Sequence, residues 1–288
     1  MTRCLVIGAT GMLGQYMVRE ANARGFDVTR TARKGADIAL DIADGAAIAS
    51  VVRAARPDIL VNCAAMANID ACDRDPAAAW LVNARAAGLL CEAAADTGAA
   101  AIHVSTEHYY TGDGNAKHDE THPVTFLNEY ARSKYAGEAM AVAAGALVLR
   151  TNIAGLRGIP GKPTLLEWLA DVARNRKPVT LFDDAFVSTI DCGSMATAAF
   201  DLLEAGARGL YNLASRDVFS KKALLGGIAA AIGHPLDHAA TGSVRSLAVR
   251  RADSLGLDVG RAETALGHAL PGLAGVIDNL AREVRNAT

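Results

Sequence analysis

No apolar run in the 288 residues is long enough to span a bilayer. Charge or glycine interrupts each run well short of the roughly 20 residues that a membrane helix needs, so no membrane partner is expected. A secretory leader is not expected either, because a strand-like run begins almost at the first residue. Excess charge of one sign is also missing. The chain has 29 Lys and Arg against 31 Asp and Glu, a net charge of -2 and a sequence pI near 6.4. That balance offers no basic surface to a nucleic acid. Cysteine is sparse: Cys4, Cys63, Cys72, Cys91 and Cys192 are scattered and form no Cys-x-x-Cys pair. A disulfide framework and a zinc-thiolate site are thereby disfavoured, and a reduced, cytoplasmic setting is expected. No metal is expected. There is no internal repeat, and no low-complexity tract beyond a richness in alanine.

What is present is ample core material, 51% hydrophobic residues, and one stretch around which the rest is organised. Residues 4–7, Cys-Leu-Val-Ile, read as a strand buried on both faces. They lead into Gly8, Gly11 and Gly14, and a helical pattern follows over 12–23. Strand, glycine turn and helix N-terminus make a phosphate site, because the first amides point outward and the helix dipole favours an anion. Gly8 permits the tight turn, Gly11 lets a pyrophosphate approach the backbone, and Gly14 lets helix and strand pack closely. Thr10, Met12 and Leu13 complete the turn. A bound dinucleotide is expected here, and the Gly-x-x-Gly-x-x-Gly spacing points to the short-chain dehydrogenase branch of such folds.

The second strand, about 27–31, lacks the acidic residue that often holds the ribose 2′-hydroxyl of NAD. It runs instead into Thr29-Arg30-Thr31-Ala32-Arg33-Lys34. A basic cluster attracts a 2′-phosphate, so NADP(H) is favoured over NAD(H), with Arg33 the first candidate and Arg30 the second. In Leu40-Asp41-Ile42-Ala43-Asp44, Asp44 is placed to cap a helix over 45–55. Asp41 and Ile42 are placed to contact the adenine. A third strand at 59–62 is followed by Cys63, Ala64 and Ala65, whose small side chains let a cofactor lie against backbone. Residues 66–70, beginning at Met66, read as a loop. Pro76 then opens a helix that continues towards residue 97 with a break near Ala84. The fourth strand, 100–105, holds His103 as a packing residue and ends at Thr106.

A loop rich in glycine and charge follows to Pro123, and then a helix to about 144 containing Tyr130 and Lys134. Four residues apart, they share one face one turn from each other. A phenol ionises near about 10 and is a weak acid or base at neutral pH. A neighbouring ammonium lowers that value. A tyrosine so tuned can protonate a carbonyl oxygen while hydride reaches the carbon. Strand five lies at 146–150, after which the alternation of strand and helix loosens. Helices are expected at 165–174, 192–206, 220–232 and 273–285, and strands at 179–182 and 209–213. The fold class is α/β, a Rossmann-like doubly wound parallel sheet with a smaller mixed α/β C-terminal substrate region. Residues 1–151 are expected to form the dinucleotide domain, with segments returning from about 179–213. Residues 152–288 should bind substrate, with parts of them covering the carboxyl edge of the sheet.

Gly8, Gly11, Gly14, Thr106, Tyr130 and Lys134 together resemble the extended short-chain dehydrogenase/reductase superfamily. Within it the chain is most similar to the dTDP-4-dehydrorhamnose reductase family. The likeness is carried by Leu40-Asp41-Ile42-Ala43-Asp44, Pro57-Asp58, Asn62-Cys63-Ala64-Ala65, Asn68-Ile69-Asp70-Ala71-Cys72, Val82-Asn83, Ser105-Thr106 and the run from Leu127 to Lys134. It spans nearly the whole chain and thins after about residue 151. The resemblance implies NADPH-dependent reduction of the 4-keto group of a nucleotide-linked deoxysugar. Tyr130 would donate the proton, Lys134 would tune it and bind the nicotinamide ribose, and Thr106 would hydrogen-bond the substrate oxygen. A homodimer is compatible with this reading, and no residue fixes the oligomeric state.

The chain departs from the family pattern where substrate is held. Glu107, His108, Tyr109 and Tyr110 replace the usual Asp-Tyr-Val-Phe after the threonine. Ile153 replaces a tryptophan, and the late Arg-Pro appears as Arg250-Arg251 or Arg251-Ala252. Met66, Glu107, His108, Ile153 and Arg250 are the candidate substrate contacts. Two other readings stay open. Glu107 and His108 suit the acid/base pair of a sugar-nucleotide dehydratase or epimerase of the same superfamily. A branch resembling the regulatory subunit of methionine adenosyltransferase binds NADP without catalysis.

Overall fold

The computed structural model describes every residue except Pro160, Ala248 and Thr288. By internal contacts the chain forms two compact units. The first comprises Met1–Thr106, Asn128–Arg150 and Ala196–Tyr211; the second comprises Glu107–Leu127, Thr151–Met195 and Asn212–Thr288. The segment Glu107–Leu127, which the sequence reading kept with the first half, thus packs within the second unit.

In the first unit the strands are β1 (Arg3–Ile7), β2 (Asp27–Ala32), β3 (Ile38–Ala39), β4 (Ile59–Asn62), β5 (Ala100–Val104) and β6 (Leu147–Arg150). With the strand Gly209–Asn212 at the far edge they form one seven-stranded sheet, in the order Gly209–Asn212, β6, β5, β4, β1, β2, β3. Every pairing from β3 to β6 is parallel. The order reverses between β1 and β4, so the crevice at their carboxyl ends is the topological switch point where such sheets take ligands. The register sets Ile7 against both Thr31 and Asn62, and Asn62 against His103. The strand ends therefore lie level.

The helices are α1 (Met12–Ala23), α2 (Gly45–Ala55), α3 (Ile69–Arg74), α4 (Pro76–Trp80), α5 (Ala86–Asp96) and α6 (Glu129–Ala143). Their beginnings follow from sequence. The Asp44 carboxylate accepts from the amides of Ala46 and Ala47, Asn68 caps α3, Asp75 caps α4 and Asn128 caps α6. Two details differ from expectation. Residues 66–70 are only partly a loop, because the Asn68 cap starts α3 at Ile69. The expected break near Ala84 is a π-helical turn, Leu81–Arg85, that joins α4 to α5. The extra residue in such a turn shifts the register of the helix. Here it leaves Asn83 buried against α6, where position 137 must be glycine: a Cβ there would lie 2.0 Å from the Asn83 carbonyl oxygen.

The second unit has its own apolar core. Leu166, Leu169 and Val172 of the Leu165–Arg174 helix pack with Leu224 and Ile228 of Lys221–Ala231 and with Val276 and Leu280 of Leu273–Asn286. Its small sheet orders Phe219–Ser220, Phe186–Val187 and Ser254–Leu255. Among the described residues no helix is long and apolar enough to cross a membrane.

Candidate active site

Gly8 has φ +79, a conformation that strongly favours glycine, and its amide and that of Ala9 both donate to the Thr31 carbonyl at 2.9 and 3.0 Å. Gly14 is required by packing, since a Cβ there would lie 2.2 Å from the Gly8 carbonyl oxygen. A Cβ on Gly11 would meet that oxygen alone, at 3.0 Å, so the outer face of the turn is open. Unlike α2, α3, α4 and α6, helix α1 begins without a side-chain cap, and no acid stands in its first turn. The amides of Met12, Leu13 and Gly14 and the positive end of the dipole are thus left for an external anion. Thr10 lies in the same turn and accepts at its carbonyl from the Gln15 side chain, Nε2, at 3.4 Å.

The end of β4 packs on this turn. A Cβ on Gly8 would lie 3.0 Å from the Ala64 amide nitrogen, and that amide donates to Asn62 Oδ1 at 3.1 Å. With Oδ1 so engaged, Asn62 Nδ2 is the donor to His103 Nδ1 at 3.1 Å. The His103 proton therefore sits on Nε2, and burial holds the ring neutral by pushing its pKa well down. Ala65 is exposed, and Met66 is partly so. The Asn83 side chain clamps Met66 at both ends of its backbone, accepting from its amide at 2.8 Å and donating to its carbonyl at 3.1 Å.

At the edge of β2 the structure separates the two arginines. Arg30 is committed to Asp37, 2.6 Å between Nη2 and Oδ1. Arg33 is exposed and makes no ion pair among the described residues. Asp41 is exposed and closes its own turn through the Ala43 amide. Ile42 is buried in the core of the first unit.

Tyr130 and Lys134 lie on α6, and Thr106 follows β5; all three are buried, with Tyr130 at 9% exposure. Lys134 Nζ donates to the Val104 carbonyl at 2.7 Å. Burial is the dominant influence on its ammonium and brings the pKa from 10.5 down to about 8, against the opposing pull of Glu138. One turn further, Glu138 accepts from Ser105 Oγ at 2.8 Å and pairs with Arg150 at 2.6 Å, both buried. These bonds fix α6 to the ends of β5 and β6. Ser133 adds a third tie, accepting from Asn83 Nδ2 at 3.1 Å. Cys63 lies close enough to Lys134 for each charge to act on the other, and burial pushes the Cys63 thiol up to about 12. The site thus brings together Gly8, Ala64, Cys63 and Lys134.

The remaining predicted residues lie in the second unit. Glu107 is buried; Asn152 Nδ2 donates to its carboxylate, and Thr189 Oγ1 donates to Asn152 Oδ1. His108 Nε2 lies 3.7 Å from Glu107 Oε1, and burial lowers its pKa. Arg250 is exposed and Ile153 half-buried. Lys221 and Arg251 stand in the same electrostatic cluster as Glu107 and His108. Burial lowers the Lys221 pKa, with Glu107 acting in the opposite sense. Sequence reasoning saw position 221 only as part of the helix expected at 220–232. It also missed Asn152, Thr189 and the pair Glu138–Arg150, which join positions that sequence patterns leave unrelated.

A parallel sheet with this glycine bend, and Tyr-x-x-x-Lys on the helix that packs against its fifth strand, places the chain among the short-chain dehydrogenases/reductases, oxidoreductases that use NAD(P). The family model described as RmlD substrate binding domain matches residues 2–269, and the chain belongs to that family. It is 33% identical over 229 residues to dTDP-4-dehydrorhamnose reductase of Mycobacterium tuberculosis, covering 76% of this chain and 72% of that one. To the probable low-salt glycan biosynthesis reductase Agl14 of Haloferax volcanii it is 31% identical over 224 residues, covering 73% and 74%. Among solved structures, dTDP-4-dehydrorhamnose reductase of Bacillus anthracis in complex with NADP superposes with a TM-score of 0.87 at 22% identity, covering 99% of this chain and 100% of that one. UDP-glucose 4-epimerase of Thermus thermophilus in complex with NAD gives 0.82 at 22%, covering 100% of both. These structural likenesses establish the fold, which reductases and epimerases share.

Proposed function

We propose that the chain is an NADPH-dependent reductase of a keto group, the 4-keto group of a nucleotide-linked deoxysugar, with Tyr130 as the proton donor. The observation that carries the reading is Lys134, buried, tied to Val104 and one helical turn from Tyr130. The names of its relatives, dTDP-4-dehydrorhamnose reductases among them, point to the same substrate class.

The cofactor fits the residues present. The open face of Gly11 and the uncapped start of α1 suit a pyrophosphate. Bound NADPH supplies a hydride for the carbonyl carbon. Tyr130 gives its phenolic proton to the carbonyl oxygen, so the ketone becomes an alcohol. The Lys134 ammonium stabilises the phenolate left behind, and Thr106 hydrogen-bonds the substrate oxygen. Glu138 and Arg150 keep α6 in place while this charge appears. In the second unit, Lys221 and Arg251 beside Glu107 supply positive charge suited to the diphosphate of a sugar nucleotide. The bond from Asn152 supports a positioning role for Glu107 over that of a dehydratase acid. A cytoplasmic setting belongs to this reading. NADPH consumption with a panel of 4-keto nucleotide sugars tests it, and failure with every member contradicts it.

Arg33 is proposed to hold the 2′-phosphate, since Arg30 is already paired with Asp37. Arg33→Ala is expected to weaken NADPH by about 1.5–3 kcal/mol, the range for a hydrogen bond to a charged group. NADH affinity should be nearly unchanged. Fluorescence titration of both cofactors checks this, and equal losses would remove Arg33 from the 2′-phosphate site.

A further inference from the structure

The loop within Glu107–Leu127 carries a cluster that the reductase chemistry does not use. Asp113, His118 and His122 each present one ligand atom, and these atoms lie within 4.8 Å of one another. We propose that Asp113, His118 and His122 form a binding site for a borderline divalent cation, of which zinc is the best fit.

His118 is wholly buried. Its Nδ1 lies 2.7 Å from the Gly256 carbonyl oxygen. A carbonyl only accepts, so Nδ1 carries the proton, and a neutral ring then has its lone pair on Nε2. That lone pair faces Asp113 Oδ2 at 3.2 Å. A ring nitrogen and a carboxylate oxygen thus converge on one point, with a ligand atom of His122 within 4.8 Å of both, as the ligand atoms of a single cation do. Donation of the far ring nitrogen to a backbone carbonyl is also the arrangement that orients metal-bound histidines.

The ring is held in this pose from every side. It stacks on the buried Tyr110 at 4.2 Å and 5°. The His118 backbone amide donates to Gly256 O at 3.0 Å, and its carbonyl accepts from the Asp258 amide at 2.9 Å and from Asn212 Nδ2 at 2.9 Å. The His122 ring stands 4.6 Å away at 73°. Asp113 and His122 are exposed, so their side chains are able to close on an ion that the fixed His118 presents.

Two imidazoles and one carboxylate favour zinc over calcium or magnesium, which prefer oxygen ligands alone. Bonds of about 2.0–2.2 Å in a tetrahedral site set its ligand atoms roughly 3.4 Å apart. The His118–Asp113 edge already has that length, and His122 supplies the third ligand by a side-chain rotation. Water would fill the fourth position. The sequence reading expected no metal because it judged cysteine spacing, and this cluster contains no cysteine. Bound zinc would tie the loop to the chain at Gly256 and stabilise the folded state by mass action.

The test is calorimetric titration of the full chain, freed of metal by chelator, with zinc chloride. One site per chain with micromolar or tighter affinity is expected, with a raised thermal midpoint and no response to calcium. The chain has seven histidines, so the site is assigned by His122→Ala and Asp113→Asn. Each should weaken zinc by at least about tenfold, and because both residues are exposed the metal-free chain should still fold. Absence of binding would overturn the proposal. So would zinc binding that survives both substitutions, or equal binding of calcium.

Discussion

Tyr130→Phe is expected to lower kcat by about 10²–10⁴, the contribution of a positioned general acid. NADPH affinity should stay close to that of the wild type. Removing one oxygen from a ring enclosed on α6 creates no sizeable cavity, so the fold should tolerate the change. The Gly8–Gly14 turn and Arg33, which the proposal assigns to the phosphates, are untouched. The loss should therefore fall on kcat, with little change in the cofactor dissociation constant. Steady-state kinetics beside a fluorescence titration separate the two. A variant that keeps wild-type turnover would remove Tyr130 from the reaction. One that loses turnover together with cofactor binding would assign it to binding instead.

Lys134→Met is expected to move activity and stability in opposite directions. Turnover should fall by a similar factor, because the phenolate loses its cation. The cofactor-free protein should become more stable at neutral pH. Burial holds the Lys134 ammonium at a pKa of about 8 instead of 10.5. At about 1.4 kcal/mol per unit, the folded state carries a cost of about 3.5 kcal/mol when the group is charged. Methionine removes that cost, and the lost hydrogen bond from the ammonium to Val104 offsets about 1.5–3 kcal/mol of the gain. A net gain of about 0.5–2 kcal/mol in denaturant unfolding is expected. The folded pKa lies below the unfolded one, so the cost is fully present below about pH 8. It is relieved as pH rises towards 10.5, where the unfolded chain also loses the proton. The advantage of the variant should therefore shrink across that window. In the wild type, kcat/KM for reduction should fall as pH rises through about 8, as the free enzyme loses the ammonium. A variant less stable than the wild type at neutral pH would show that Lys134 stabilises the fold rather than straining it.

The sheet and its helices were legible because each signal is local. The glycine turn, the Asp44 cap and the buried runs of β1, β4 and β6 all announce themselves within a few residues. Helix α1 and the helix Leu165–Arg174 fall where their periodicity puts them. The π turn at Leu81–Arg85 was legible only as a weak point, since the close approach it makes, Asn83 against Gly137, spans 54 positions. The polar network was hidden for the same reason. Asn152 stands 45 positions from Glu107, and His118 stands 138 positions from Gly256. Contacts at such separations leave no period and no spacing to read. Lys221 was likewise invisible as a functional group, because its neighbours Glu107 and Arg251 come from distant segments.

The most direct measurement supplies NADPH deuterated at the transferring position together with a dTDP-linked 4-keto-6-deoxy sugar, and follows both by mass spectrometry. Net reduction with Tyr130 as the acid predicts one deuterium in each sugar alcohol formed and one NADP⁺ released with it. A sugar that is epimerised or dehydrated with no net loss of NADPH would contradict the reductase assignment.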